Sequence, residues 1–214
     1  LAGEESLSWR VFEARRLLRY EPTEANAARV EMLLRPVVEK ASGDTAALTL
    51  VAAARLISGD TNRAIDSLIE AVEVDGEDAR LYPRLIALLQ QQGRTQEAER
   101  FLGAFSELEE IGPDMRRRRA QLLAAQGLWR QAAADYEALG EEQTEEDLLA
   151  LAGVRLRQGD FAAAGEIFED LIARPSASMA AIRGAAQYYA ASGRLDRAEQ
   201  VLAEASDDPP GRRA

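Results

Sequence analysis

The sequence contains no cysteine and no histidine in 214 residues. Without cysteine there is no disulfide, no thiol nucleophile and no thiolate metal site, and the redox compartment stays undetermined. Without histidine the commonest general base is missing, and with both absent so are the usual zinc ligands. Aromatic residues make up only 6%, prolines number 7, and of 26 basic residues Lys40 alone is lysine, a bias expected of a GC-rich bacterial genome. No apolar run approaches the roughly 18 residues that span a bilayer, and no signal peptide opens the chain. No G-x-x-x-x-G-K-S/T loop cradles a phosphate. The first residue is Leu1, not methionine, which suggests a piece of a longer polypeptide; a soluble, cytoplasmic setting is the expectation. The formal charge of −11 argues against a nucleic-acid backbone as the partner, since such binders carry a basic face.

What the chain does have is helix-forming composition, 47% hydrophobic and rich in Ala, Leu, Glu, Arg and Gln, with no competing strand signal. It also has a repeat. Gly59, Gly93, Gly127, Gly159 and Gly193 are spaced 34, 34, 32 and 34 residues apart, and each is followed five residues later by alanine: Ala64, Ala98, Ala132, Ala164 and Ala198. A fixed period of this length marks a stacked-repeat architecture. Each glycine sits between two stretches of helical apolar spacing, where a helix must stop and reverse, and glycine takes the left-handed backbone found there at almost no cost. Nine residues after each glycine stands a bulky residue: Leu68, Leu102, Tyr136, Phe168 and Leu202. Seven before stand Ala52, Ile86, Ala120, Ala152 and Ala186, the holes that face those knobs.

These glycine, alanine and bulky positions resemble the tetratricopeptide repeat, two antiparallel helices per unit, over about Thr45 to Ser206. The resemblance implies an all-α fold, a right-handed superhelix of stacked antiparallel helix pairs with about twelve helices. The organisation expected is a degenerate N-terminal helical repeat over 1–44, five repeats over 45–78, 79–112, 113–144, 145–178 and 179–206, and a disordered tail or linker over 207–214. Leu7 to Tyr20 reads as an amphipathic helix with Trp9, Phe12, Leu17 and Leu18 on its apolar side. Thr23 should cap the next, about Glu24 to Ala41, which Pro36 should kink. The remaining helices are expected near 45–58, 61–74, 79–92 (starting late, near Leu81, because of Pro83), 95–108, 113–126, 129–139, 145–158, 161–173, 179–192 and 195–205. The third unit departs from the pattern. Arg116 and Arg119 stand where other copies carry apolar residues, so either its helix starts late or the solenoid is locally irregular.

The resemblance also implies function: the first helix of each unit lines a concave groove that commonly holds an extended peptide. Aligned on the glycines, Arg80, Arg84, Arg117, Arg118 and Arg183 fall along that groove beside Gln121 and Gln187. Guanidinium forks hold carboxylates bidentately, which suits an acidic peptide or a free C-terminus. The alternative is that these arginines are solvated or paired with neighbouring acids. Thr49, Ala53 and Arg84 occupy places where the family's carboxylate-clamp subgroup has a Lys and two Asn, so that specificity is not expected. Carboxylate pairs such as Glu166 with Asp170 lie on a solvated helix face, and no catalytic residue, metal site or cofactor is implied. The expectation is a non-catalytic scaffold or adaptor with a protein or peptide partner. The alternatives are a self-associating structural spacer, or the regulatory arm of a larger enzyme, transporter or secretion-system protein.

Overall fold

The computed structural model describes residues 6–40 and 44–207. Residues 1–5, at the start of the expected degenerate repeat, and the expected tail beyond Asp207 lie outside the described residues. Within them the chain is all-helical, with no strand: α1 (Leu7–Tyr20), α2 (Glu24–Lys40), α3 (Thr45–Ile57), α4 (Thr61–Val74), α5 (Tyr82–Gln91), α6 (Thr95–Ser106), α7 (Pro113–Ala125), α8 (Trp129–Glu137), α9 (Glu145–Gln158), α10 (Phe161–Ala173), α11 (Met179–Ala191) and α12 (Leu195–Asp207). A 3-10 turn at Ala79–Leu81 leads into α5, so this α-helix does start late, with Pro83 in its first turn where a missing N–H costs nothing. Asp207, expected in the tail, instead ends α12. The helix α2 runs through Pro36.

Two compact units divide the chain, Leu1–Ile111 with α1 to α6 and Gly112–Ala214 with α7 to α12. In each unit consecutive helices form hairpins (α1–α2, α3–α4 and α5–α6; α7–α8, α9–α10 and α11–α12), and each hairpin packs on the next. Alternate first helices also touch, α1 with α3 in the first unit and α9 with α11 in the second.

Five of the six hairpins turn at the five glycines, whose φ lies between +70° and +80°. The residue after each glycine donates its N–H back to the carbonyl five residues earlier: Asp60 to Arg55, Arg94 to Leu89, Leu128 to Leu123, Asp160 to Arg155 and Arg194 to Tyr189, at 2.8 to 2.9 Å. Carbonyls that the helix end would leave unpaired are thereby satisfied. Asp60 and Asp160 serve twice, since their carboxylates also accept the N–H groups of Arg63 and Ala163 and so cap the following helix. Thr23 accepts the N–H of Asn26 and caps α2 as expected.

All five alanines after the glycines are buried, and Leu68, Leu102, Tyr136 and Phe168 are buried beside them. Leu202 departs from that set at 42% exposed, because no described helix follows α12 to cover it. Phe12 is also a correction: it is 65% exposed, because α1 turns Ala14 and Leu17 inward and the helical rotation carries Phe12 away from them.

Arg119 resolves the third unit's departure from the pattern without a late helix start. The helix α7 starts at Pro113, and Arg119 stays inside, only 7% exposed, because Asp135 on α8 is buried opposite it. The guanidinium of Arg119 donates from Nε and Nη2 to the two Asp135 oxygens at 2.8 and 2.7 Å, while Arg116 reaches the same carboxylate at 3.5 Å. A bidentate pair of this kind replaces apolar packing at the centre of the α7–α8 hairpin.

Two outcomes follow for denaturation experiments. Gly159→Ala, with nothing within 4 Å of the added methyl and φ at +80°, should cost about 1–2 kcal/mol from backbone conformation alone. An unchanged denaturation midpoint would contradict that account. Arg119→Leu should destabilise by about 3–5 kcal/mol by stranding Asp135, and the double change Arg119→Leu with Asp135→Val should recover most of the loss. Additive effects of the two single changes would rule out the coupling.

Candidate functional site

The residues expected to line a groove fall into two sets, one in each unit. In the first unit Arg80 and Arg84 lie one turn apart at the start of α5, and both are exposed. Arg80 is engaged: its guanidinium donates to both oxygens of Asp78 at 2.7 Å, which holds the Asp78 carboxyl below its ordinary range. Arg84 has no acid partner within the described residues.

In the second unit the four consecutive arginines of α7 meet three different fates, since each residue rotates about 100° round the helix. Arg116 and Arg119 turn to Asp135. Arg117 leans across to the start of α9, where Nε donates to Asp147 at 2.8 Å, Nη1 to Asp114 at 3.2 Å and Nη2 to the Glu142 carbonyl. Arg118 stands exposed without an acid partner in the described residues, and Gln121 is exposed nearby on the same helix. On α11, Arg183 and Gln187 are exposed one turn apart, and the only bond of Arg183 is from Nε to its own helix at the Met179 carbonyl, 3.1 Å. Within the second unit the fold thus places Arg118 and Gln121 on the first hairpin's leading helix and Arg183 with Gln187 on the third's.

Two residues that the sequence reading missed govern which arginines are committed. Asp147 is buried at the start of α9 and forms a capping box: its carboxylate accepts the Thr144 N–H at 2.8 Å, while the Thr144 hydroxyl accepts the Asp147 N–H at 3.2 Å. Burial pushes the Asp147 carboxyl upward, but the Thr144 N–H and the Arg117 guanidinium outweigh it and hold the carboxyl below its ordinary value. Asp135 is the other, and its signal was present: eight residues after Gly127 it is charged, where the other copies hold Ser67, Phe101, Ile167 and Val201. For Asp147 the signal was its place three residues after Thr144 and just ahead of an apolar run, the pattern of a capping box.

Chemically the arrangement offers exposed cations and amides for carboxylates. Among the described residues no group of three or more side chains could hold a metal ion, and no helix is long and apolar enough to cross a membrane. Because the folded Asp147 carboxyl titrates below its unfolded value of about 3.8, its stabilising contribution is present above that pH and is lost as pH falls through the folded value. Asp147→Asn should therefore melt lower than the original at pH 7, with the difference shrinking below about pH 4; a difference independent of pH would refute the assignment.

A tetratricopeptide-repeat family model matches residues 155–214. No curated protein matches the sequence. Solved structures with the same fold include a tetratricopeptide repeat protein from Parabacteroides merdae, 16% identical, TM-score 0.63, covering 94% of this chain and 79% of that one. YrrB, a TPR protein with an unusual peptide-binding site, is 16% identical with a TM-score of 0.63, over 84% of this chain and 93% of its own. The pilF protein of Pseudomonas aeruginosa is 15% identical with a TM-score of 0.59, over 99% of this chain and 95% of its own. The chain thus shares the fold of tetratricopeptide-repeat proteins, and its residues 155–214 match that family's sequence model.

Proposed function

We propose that the chain is a non-catalytic protein-interaction module whose leading helices offer acidic segments of another protein two sets of side chains, each within its own unit: Arg84 in the first, and Arg118, Gln121, Arg183 and Gln187 in the second. The observation that carries this reading is the contrast among the arginines. Arg55, Arg94, Arg117, Arg119 and Arg155 are tied to carboxylates of the chain itself. Arg84, Arg118 and Arg183 stand exposed without an acid partner although the chain carries a net charge of −11. Arg35, Arg130 and Arg157 are exposed and unpaired as well; what marks Arg84, Arg118 and Arg183 is their place at the leading-helix positions aligned on the glycines, where a guanidinium fork can take a carboxylate supplied from outside. Arg80 and Arg117 can join such a site only by exchanging the pairs they already make. The peptide-binding site ascribed to YrrB, whose fold is similar, adds general support for a peptide ligand.

The test is affinity capture from a lysate of the source organism with the original chain and with the triple variant Arg84→Glu, Arg118→Glu, Arg183→Glu. All three side chains are exposed, so the variant should keep its melting temperature. A partner held by the original should bind the variant at least about tenfold more weakly, the equivalent of about 1.4 kcal/mol. The reading fails if every captured partner binds both proteins equally.

A further inference from the structure

The second unit carries a cleft of about 600 Å³ between α10 and α12, with α11 as its floor. The floor is apolar, built from Ile182 and Tyr189 of α11, Ile172 of α10, and Val201 and Ala205 of α12. At the end nearest the start of α12 the rim is basic. The Arg194 guanidinium lies 5.0 and 4.6 Å from the ring centres of Tyr188 and Tyr189, and that of Arg197 lies 5.8 Å from Tyr189. Glu169 accepts the Tyr189 hydroxyl at 3.3 Å and stands 4.0 Å from Arg194. Arg197 has no acid partner within the described residues.

The corresponding cleft in the first unit, between α2 and α4, is smaller at about 380 Å³. There Arg55, four residues before Gly59, reaches Glu31 on α2 at 3.2 Å and Ser67 on α4 at 2.5 Å, so one side chain ties the two walls together. Four residues before Gly193 the chain has Tyr189 instead, whose hydroxyl binds α10 and leaves the α12 wall untied. The substitution leaves an open trough with an apolar floor, rimmed by the guanidinium groups of Arg194 and Arg197 and by the carboxylates of Glu169 and Glu204.

We propose that the α10–α12 cleft is a second protein-binding site, and that its ligand is a peptide segment presenting an acidic side chain one turn from aliphatic ones. Arg197 stands one turn from Val201 and two from Ala205, about 6 and 12 Å along the helix axis. A peptide whose acid meets Arg197 therefore lays its next aliphatic side chains over Val201, Ile182 and Ala205. The tyrosine rings beneath Arg194 and Arg197 hold the two guanidinium groups in place before binding, which reduces the ordering cost. The site is independent of the leading-helix arginines and uses other side chains.

The experiment uses two synthetic twelve-residue peptides, one with leucines at helical spacing and a glutamate one turn before each, the other identical but with lysine for glutamate. Each is titrated into protein carrying labelled isoleucine methyls and followed by NMR. The glutamate peptide should shift the Ile172 and Ile182 methyls to saturation, and the lysine peptide should bind at least about fivefold more weakly. Arg197→Glu should invert that order, and Arg197→Gln should weaken the glutamate peptide without inversion, each with the methyl spectrum of the free protein unchanged. Arg183→Glu should leave the titration as it was, which separates failure here from failure of the leading-helix reading. Methyls that do not move, or that respond equally to both peptides, overturn the proposal. So do methyls that shift with protein concentration alone, because a second copy of the chain then fills the cleft.

Discussion

A left-handed turn at glycine is the constraint on which the rest of this structure depends. Each hub glycine lets one helix end with its last carbonyls satisfied and the next begin within two residues, and that short reversal leaves two helices antiparallel and close. The closeness then dictates side-chain size. An alanine five residues on must be small because the partner helix is already there, and a bulky residue nine on must fill the space that opens beyond. Burial of Ala64, Ala98, Ala132 and Ala164 beside Leu68, Leu102, Tyr136 and Phe168 is the result. The repeat in the sequence is therefore a repeat of one backbone event and its packing consequences.

That chain of cause explains what could be read without coordinates. Helix starts and stops depend on residues close in sequence, such as Asp60 capping α4 or Thr144 capping α9, so the element pattern was legible almost throughout. The late start of α5 was legible for the same reason, since Pro83 acts on its own neighbours. What escaped were facts that depend on distant partners. Whether Arg117 is free depends on Asp147, thirty residues away, and whether Arg119 can be buried depends on Asp135, sixteen away. Phe12 and Leu202 were misjudged because apolar spacing marks the inner side of a helix only where a neighbour supplies that inner side.

The arginines show how an acidic chain can still present positive charge. Some are consumed internally, at helix ends or between neighbouring helices, where a fork and a carboxylate hold two elements in register. Others, among them Arg15, Arg35, Arg84, Arg118, Arg130, Arg157 and Arg183, are exposed without an acid partner among the described residues, and in the run from Arg116 to Arg119 the helical rotation sends one residue into the core and another outward. Interaction chemistry on this scaffold is thus a by-product of which side chains the packing does not use.

The buried pair of Arg119 and Asp135 has a consequence for how this hairpin can change over generations. Either partner altered alone strands the other, so paths between the charged version and an apolar one pass through a damaged intermediate. The α7–α8 hairpin is held at a local optimum by epistasis, while hairpins with apolar centres can drift one methyl group at a time.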